Sequence, residues 1–187
     1  MLIAKTVPRN ITRTSANMPV IVIRPAMIYG PGDLRFLKLF KMIARKHSFM
    51  IGSGKTLAHF VYIDDLLDGF VLASSAADRE GEIYIIASEG PIALNDLVRI
   101  ICDELGVSVP KIHLPVKPFQ WLGSICETVC LPLKVEPPIF RRRVDFFTKN
   151  RAFDINKAKR DLKYEYKVGM REGIRRTLRW YREKEYL

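Results

Sequence analysis

Two four-residue runs constrain the fold more than anything else in the chain: Val20-Ile21-Val22-Ile23 and Ile83-Tyr84-Ile85-Ile86. Neither alternates apolar with polar residues. A strand with one wet face has to alternate, so such runs are expected in strands buried on both faces of a parallel sheet. Helical patterns lie between and after them. Asp33 is placed to cap a helix with Leu34, Leu37, Phe40, Met42 and Ile43 as its apolar side. Phe60-Val61-Tyr62-Ile63 is a short extended piece, after which Asp64 caps a helix to about Ala77 with Leu66, Leu67, Phe70, Val71 and Ala73 inward. Another helix spans about Asn95 to Leu105 and stops at Gly106, the residue type that commonly follows a helix end. The order strand, helix, helix, strand, helix defines an α/β chain.

Further along, Ile112–Leu114 is a short strand and Lys117–Val129 a helix with Phe119, Leu122, Ile125, Cys126 and Val129 on its apolar side. Pro137-Pro138 breaks the chain. Asp154 caps a helix to about Leu162, and a last helix covers Met170 to Glu185.

Composition narrows the class. With 187 residues, 48% apolar and 27% charged, the chain is neither disordered nor fibrous. No apolar stretch reaches the roughly 18 residues of a membrane span. The opening MLIAKTVPRN has no apolar core of the secretory kind, so a cytoplasmic location is expected. The three cysteines have neither Cys-x-x-Cys spacing nor a nearby histidine pair, so they are expected as small buried hydrophobes and not as zinc ligands.

The net charge of +11 is uneven: residues 141–187 hold 16 of the 31 Lys and Arg but 7 of the 20 Asp and Glu. On the last helix Arg171, Arg175, Arg176, Arg179 and Arg182 oppose Ile174, Thr177, Leu178 and Tyr181. That is the solvated face of an amphipathic helix. Nucleic-acid binding would want aromatics among the arginines and a recognition fold, so nucleic acid is not an expected partner.

Gly52-Ser53-Gly54-Lys55-Thr56 looks like the end of a phosphate loop, but Phe49 stands where that pattern needs glycine. There is no G-x-G-x-x-G turn, and His47, His59 and His113 are scattered. No catalytic residue and no metal ligand is assigned.

Three segments, in order, resemble the extended short-chain dehydrogenases/reductases of the NAD-dependent epimerase/dehydratase type. They are Arg24-Pro25-Ala26-Met27-Ile28-Tyr29-Gly30-Pro31-Gly32-Asp33; His59-Phe60-Val61-Tyr62-Ile63-Asp64-Asp65-Leu66; and Phe153-Asp154 through Leu162-Lys163-Tyr164 with Glu172-Gly173-Ile174 and Trp180-Tyr181. The resemblance implies an α/β fold: the C-terminal part of a Rossmann-type parallel sheet plus a small α/β substrate-binding subdomain. On that basis 1–187 is a single partial domain. Residues 18–110 hold the last Rossmann strands and helices, interleaved with the substrate lid, and 111–187 the substrate-binding part.

Full members of this group carry a glycine fingerprint and a catalytic Tyr-x-x-x-Lys ahead of the Arg-Pro segment. Here 23 residues precede Arg24, and Lys5 falls roughly where the lysine would, with Met1 in place of the tyrosine. The resemblance therefore implies a carboxyl half, inert alone, partnered by the amino-terminal Rossmann half or by a second copy. NAD or NADP is the implied cofactor, with Pro25, Met27, Ile28 and Tyr29 beside the nicotinamide. Arg35, Lys55, His59, Tyr62 and Arg141 are the implied substrate contacts.

Two substrate classes stay open. The C-terminal ending is shared with nucleotide-sugar enzymes, which is the preferred expectation. Those enzymes, however, usually carry Arg-Asp where this chain has Ala58-His59, so the arginine that grips diphosphate is missing there. Gly52 to Tyr62 and the stretch from Pro137-Pro138 to Phe147 also resemble 3β-hydroxysteroid dehydrogenases and dihydroflavonol reductases, whose substrates are apolar carbinols. Arg141-Arg142-Arg143 could meet phosphate from another direction. A binding module without catalysis is the third alternative.

Overall fold

The computed structural model of the chain describes residues 20–45, 49–76, 78–110, 112–118 and 146–187. The expected helix from Lys117 to Val129, Cys126, Cys130, Pro137-Pro138 and Arg141–Arg143 lie wholly or mainly outside these residues. The β-branched runs do form strands. β1 (Val22–Pro25) pairs in parallel with β6 (Ile83–Ile86), Val22 opposite Ile83 and Pro25 opposite Ile86. β2 (Met27–Tyr29) pairs in parallel with β5 (Phe60–Tyr62). The first strand begins two residues later than its sequence run; Val22, Ile23 and Arg24 are only half-buried and Pro25 is exposed.

Contacts divide the chain into two units that interleave in sequence. One comprises 1–37, 59–91 and 152–187; the other 38–58 and 92–151. The segment 152–187 thus lies with the first strands.

In the first unit, α2 (Ile63–Ser74) follows β5 without a break, and α4 (Asn156–Leu162) and α5 (Met170–Glu183) complete it. Its core holds Val61, Leu66, Ala73, Tyr84, Ile86, Ala158 and Tyr164. Burying aliphatic side chains the size of Val61, Leu66 and Ile86 stabilises the unit by about 1.5–3 kcal/mol each before chain entropy is counted. The buried side of α2 is Asp65, Leu66, Gly69 and Ala73, at helical spacing. Gly69 lies on Ile86, whose carbons would stand 3.2 Å from an added methyl. That close approach fixes the helix rotation and corrects the expected inward set: Leu67, Phe70 and Val71 are 54%, 49% and 64% exposed.

In the second unit, β3 (Met50–Ile51) pairs in parallel with β8 (His113–Leu114), and β4 (Leu57–Ala58) antiparallel with β7 (Ile92–Ala93). α1 (Leu37–Ala44) buries Phe40 and Ile43, and α3 (Leu94–Leu105) buries Leu97, Val98, Ile101 and Cys102 before stopping at Gly106. Asp33 does not cap α1. Its carboxylate turns instead to Arg35, and Leu34 is exposed. No helix among the described residues is long and apolar enough to cross a membrane.

Candidate functional site

The carboxyl ends of the first unit's parallel strands lie at Pro25 and Tyr29, and in open α/β sheets ligands bind outside such ends. The chain leaves β1 through Ala26, whose N–H donates to the Ile86 carbonyl at 2.9 Å, and enters β2 through Met27, whose N–H donates to the His59 carbonyl at 3.0 Å. Pro25 is exposed, Met27 and Ile28 half-buried, Tyr29 buried. The Tyr29 ring meets Phe60 and Tyr62 edge-on, with centroids 5.9 and 5.6 Å away. Its hydroxyl is buried with no hydrogen-bond partner among the described residues, and burial, aided by the Asp65 charge, pushes its pKa well up. Arg35 closes the turn that follows: its guanidinium donates to Asp33 Oδ1 at 2.8 Å and to the Ile28 carbonyl at 2.8 Å.

His59 is 1% exposed. Its Nδ1 accepts from the Phe153 N–H at 3.2 Å, so Nε2 carries the proton and donates to the Ser88 carbonyl at 3.3 Å. The ring stacks on Phe153, and burial lowers its pKa below the ordinary histidine value. Tyr62 is buried under the Arg176 guanidinium, 5.8 Å from the ring centroid. Lys55 belongs to the second unit, where it is exposed. There the Gly54 and Thr56 carbonyls accept the N–H groups of Asn95 and Leu94 at the start of α3. A phosphate loop offers amides to its ligand; this loop offers carbonyls to a helix. Arg141 lies outside the described residues.

The fold therefore brings Ile28 to Arg35, Tyr29 to Tyr62 and Met27 to His59. It also uses residues that motif reading did not single out. Asp65, 1% exposed, accepts the N–H groups of Lys167 and Val168 at 2.9 and 3.3 Å, and burial raises its pKa. Tyr164 donates to the Ala87 carbonyl at 3.1 Å. Doubled Asp64-Asp65 was the available signal: one acid faces water at the helix start, and only the helix register decides which is buried.

Comparison with known proteins matches residues 2–116 to the model of the 3-beta hydroxysteroid dehydrogenase/isomerase family. The chain belongs to that family. It is 33% identical over 175 residues to the sterol-4-alpha-carboxylate 3-dehydrogenase erg26, decarboxylating, of Schizosaccharomyces pombe, covering 89% of this chain and 52% of the relative. It is 31% identical over 170 residues to the 3beta-hydroxysteroid-dehydrogenase/decarboxylase isoform 1 of Arabidopsis thaliana, covering 83% and 39%. The chain spans between about a third and about half of the length of the curated relatives it matches. Among solved structures, the crystal structure of gox2253 superposes with a TM-score of 0.72 at 24% identity, covering 96% of this chain and 53% of the other. The UDP-glucuronic acid 4-epimerase from Bacillus cereus, in complex with NAD, gives 0.65 at 20% identity, covering 91% and 46%. These likenesses establish the α/β fold as Rossmann-type.

Proposed function

We propose that this member of the 3-beta hydroxysteroid dehydrogenase/isomerase family forms the substrate-side half of an NAD(P)-dependent oxidoreductase acting on a sterol-type carbinol. The observation that carries the substrate class is the state of Ala58 and His59. Ala58 is 2% exposed and His59 1%, and both ring nitrogens of His59 are spent on main-chain groups. Nothing charged stands there to grip a diphosphate, and the names of the sterol-acting relatives point the same way.

The residues present fit one end of a dinucleotide cofactor. Exposed Pro25 and half-buried Met27 and Ile28 form an uncharged wall at the strand ends, suited to the face of a flat ring. When bound, NAD(P) supplies hydride transfer at the carbinol carbon. This chain's part is to wall that ring, exclude water and hold the turn through Tyr29 and Arg35. The glycine fingerprint and Tyr-x-x-x-Lys do not occur among these 187 residues, so a Rossmann-type half is the proposed partner. Such a half would also cover Leu67, Phe70 and Val71.

A nucleotide-sugar substrate is the second reading, supported by exposed Lys55 and the C-terminal ending. The test is to join the chain to the amino-terminal half of the Schizosaccharomyces pombe relative and follow NADH formation together with substrate conversion by chromatography, since redox-neutral turnover of a nucleotide sugar leaves no net NADH. Turnover of a sterol-4α-carboxylate without turnover of UDP-glucose is expected. Lys55→Ala should then be nearly silent. Turnover of UDP-glucose alone, with Lys55→Ala raising KM about tenfold or more through a lost charge-assisted contact, would overturn the sterol reading.

A further inference from the structure

The buried side of α5 does more than cover the core. The tip of the Tyr29 ring rests on the α5 main chain at Gly173. A methyl group there would overlap the Tyr29 hydroxyl and stand 2.8 Å from ring carbons Cε2 and Cζ, well inside carbon–carbon contact distance. Eight residues on, about 12 Å along the helix, Tyr181 donates its hydroxyl hydrogen to the Asp33 carbonyl at 2.5 Å. Its ring is fully buried. One helix thus grips both ends of the Tyr29–Asp33 turn. The Tyr29 hydroxyl gains no hydrogen bond among the described residues by being buried. Such an orphaned group calls for an explanation in a native fold, and the shape match with Gly173 supplies one.

We propose that Gly173 and Tyr181 are positioning residues that set the main-chain path of Met27–Asp33, through Tyr29 at one end and Asp33 at the other. Gly173 is glycine because Tyr29 fills the space of its side chain. The functional meaning rests on reading Pro25–Ile28 as the wall beside the nicotinamide; the grip itself does not.

The test uses the 15N-labelled 187-residue chain and the amide resonances of the turn. Gly173→Ala should shift Met27, Ile28 and Gly30 while leaving the second unit's α3 in place. Adding Tyr29→Phe, which removes the overlapping oxygen, should move those resonances back toward the parent. Tyr181→Phe loses one hydrogen bond and almost no volume, so it reports even where Gly173→Ala fails to fold; it should shift Asp33 and Arg35. A lower melting temperature with these resonances unmoved is what a merely structural role would give, and it would overturn the proposal. Titration with NAD+ of the labelled chain joined to the amino-terminal half of the Schizosaccharomyces pombe relative separates the two layers. Shifts at Met27 and Ile28 that weaken in Gly173→Ala support both. No shift in the joined protein that keeps Gly173 overturns the cofactor wall, while the grip still stands or falls on the variant spectra.

Discussion

His59 is held neutral by its surroundings. Phe153 donates to one ring nitrogen, the other donates to Ser88, and burial lowers the pKa from 6.5. The unfolded chain therefore takes up a proton at higher pH than the folded chain. The stabilisation is full above about pH 6.5 and is lost as pH falls below that toward the folded value. Asp65 acts in the opposite sense: its pKa is raised, so its contribution is full below the ordinary carboxylate range and lost as pH rises through the folded value. A fall in melting temperature between pH 7.5 and 5.5 thus belongs to His59. In His59→Gln an amide keeps one acceptor and one donor, and the slope in that window should flatten. Equal slopes in parent and variant would remove His59 from the account. The sequence placed His59 in the second motif segment. Its burial was not legible there, because the main-chain groups that bind it come from Ser88 and Phe153, 29 and 94 residues away.

At the scale of elements, α3 and α4 end where the sequence places their ends, at Leu105 and Leu162. α3 stops at Gly106, in the left-handed conformation (φ 68°) that glycine adopts freely. α4 stops the same way at Lys163, φ 54°, where a side chain is strained. The turn swings Tyr164 into the core, fully buried. A left-handed residue other than glycine costs about 1–2 kcal/mol, and the extra freedom of glycine in the unfolded chain returns about 0.4–1 kcal/mol of that. Lys163→Gly should therefore stabilise the chain by up to about 1.5 kcal/mol, read as a higher urea midpoint at unchanged slope. A lower midpoint would mean that the Lys163 side chain contributes more than its backbone costs. Elsewhere periodicity read α5 well: every named arginine is exposed and Ile174, Thr177, Leu178 and Tyr181 are buried. It misread α2, because three apolar residues outside the buried face look the same to a pattern as three inside it.

For the whole molecule, the consequence lies on the open side of the first unit. Ile21, Ile23, Phe70, Ala73 and Ala76 line a surface groove of about 450 Å³, bordered by Ser74 and Glu80. Among the described residues β1 pairs only with β6, leaving its other edge to another strand. Apolar surface of this kind favours association. The chain alone should grow in mean mass with concentration in light scattering, and Leu67→Lys with Val71→Lys should return it toward monomer without loss of helix content, since both residues are exposed. A monodisperse monomer of the parent chain at high concentration would show that this face needs no cover.

The sequence by itself determined the α/β class, both parallel strands, the family-like turn at Tyr29–Asp33 and the basic face of α5. Each is written in a local period or a short motif, and local sterics suffice to read it. Only the tertiary structure decided that His59 and Asp65 are buried, that Leu67, Phe70 and Val71 are not, and that Tyr29 rests on Gly173. Tyr29 and Gly173 are 144 positions apart, and contacts across such separations follow from how elements pack, which no window of neighbouring residues encodes.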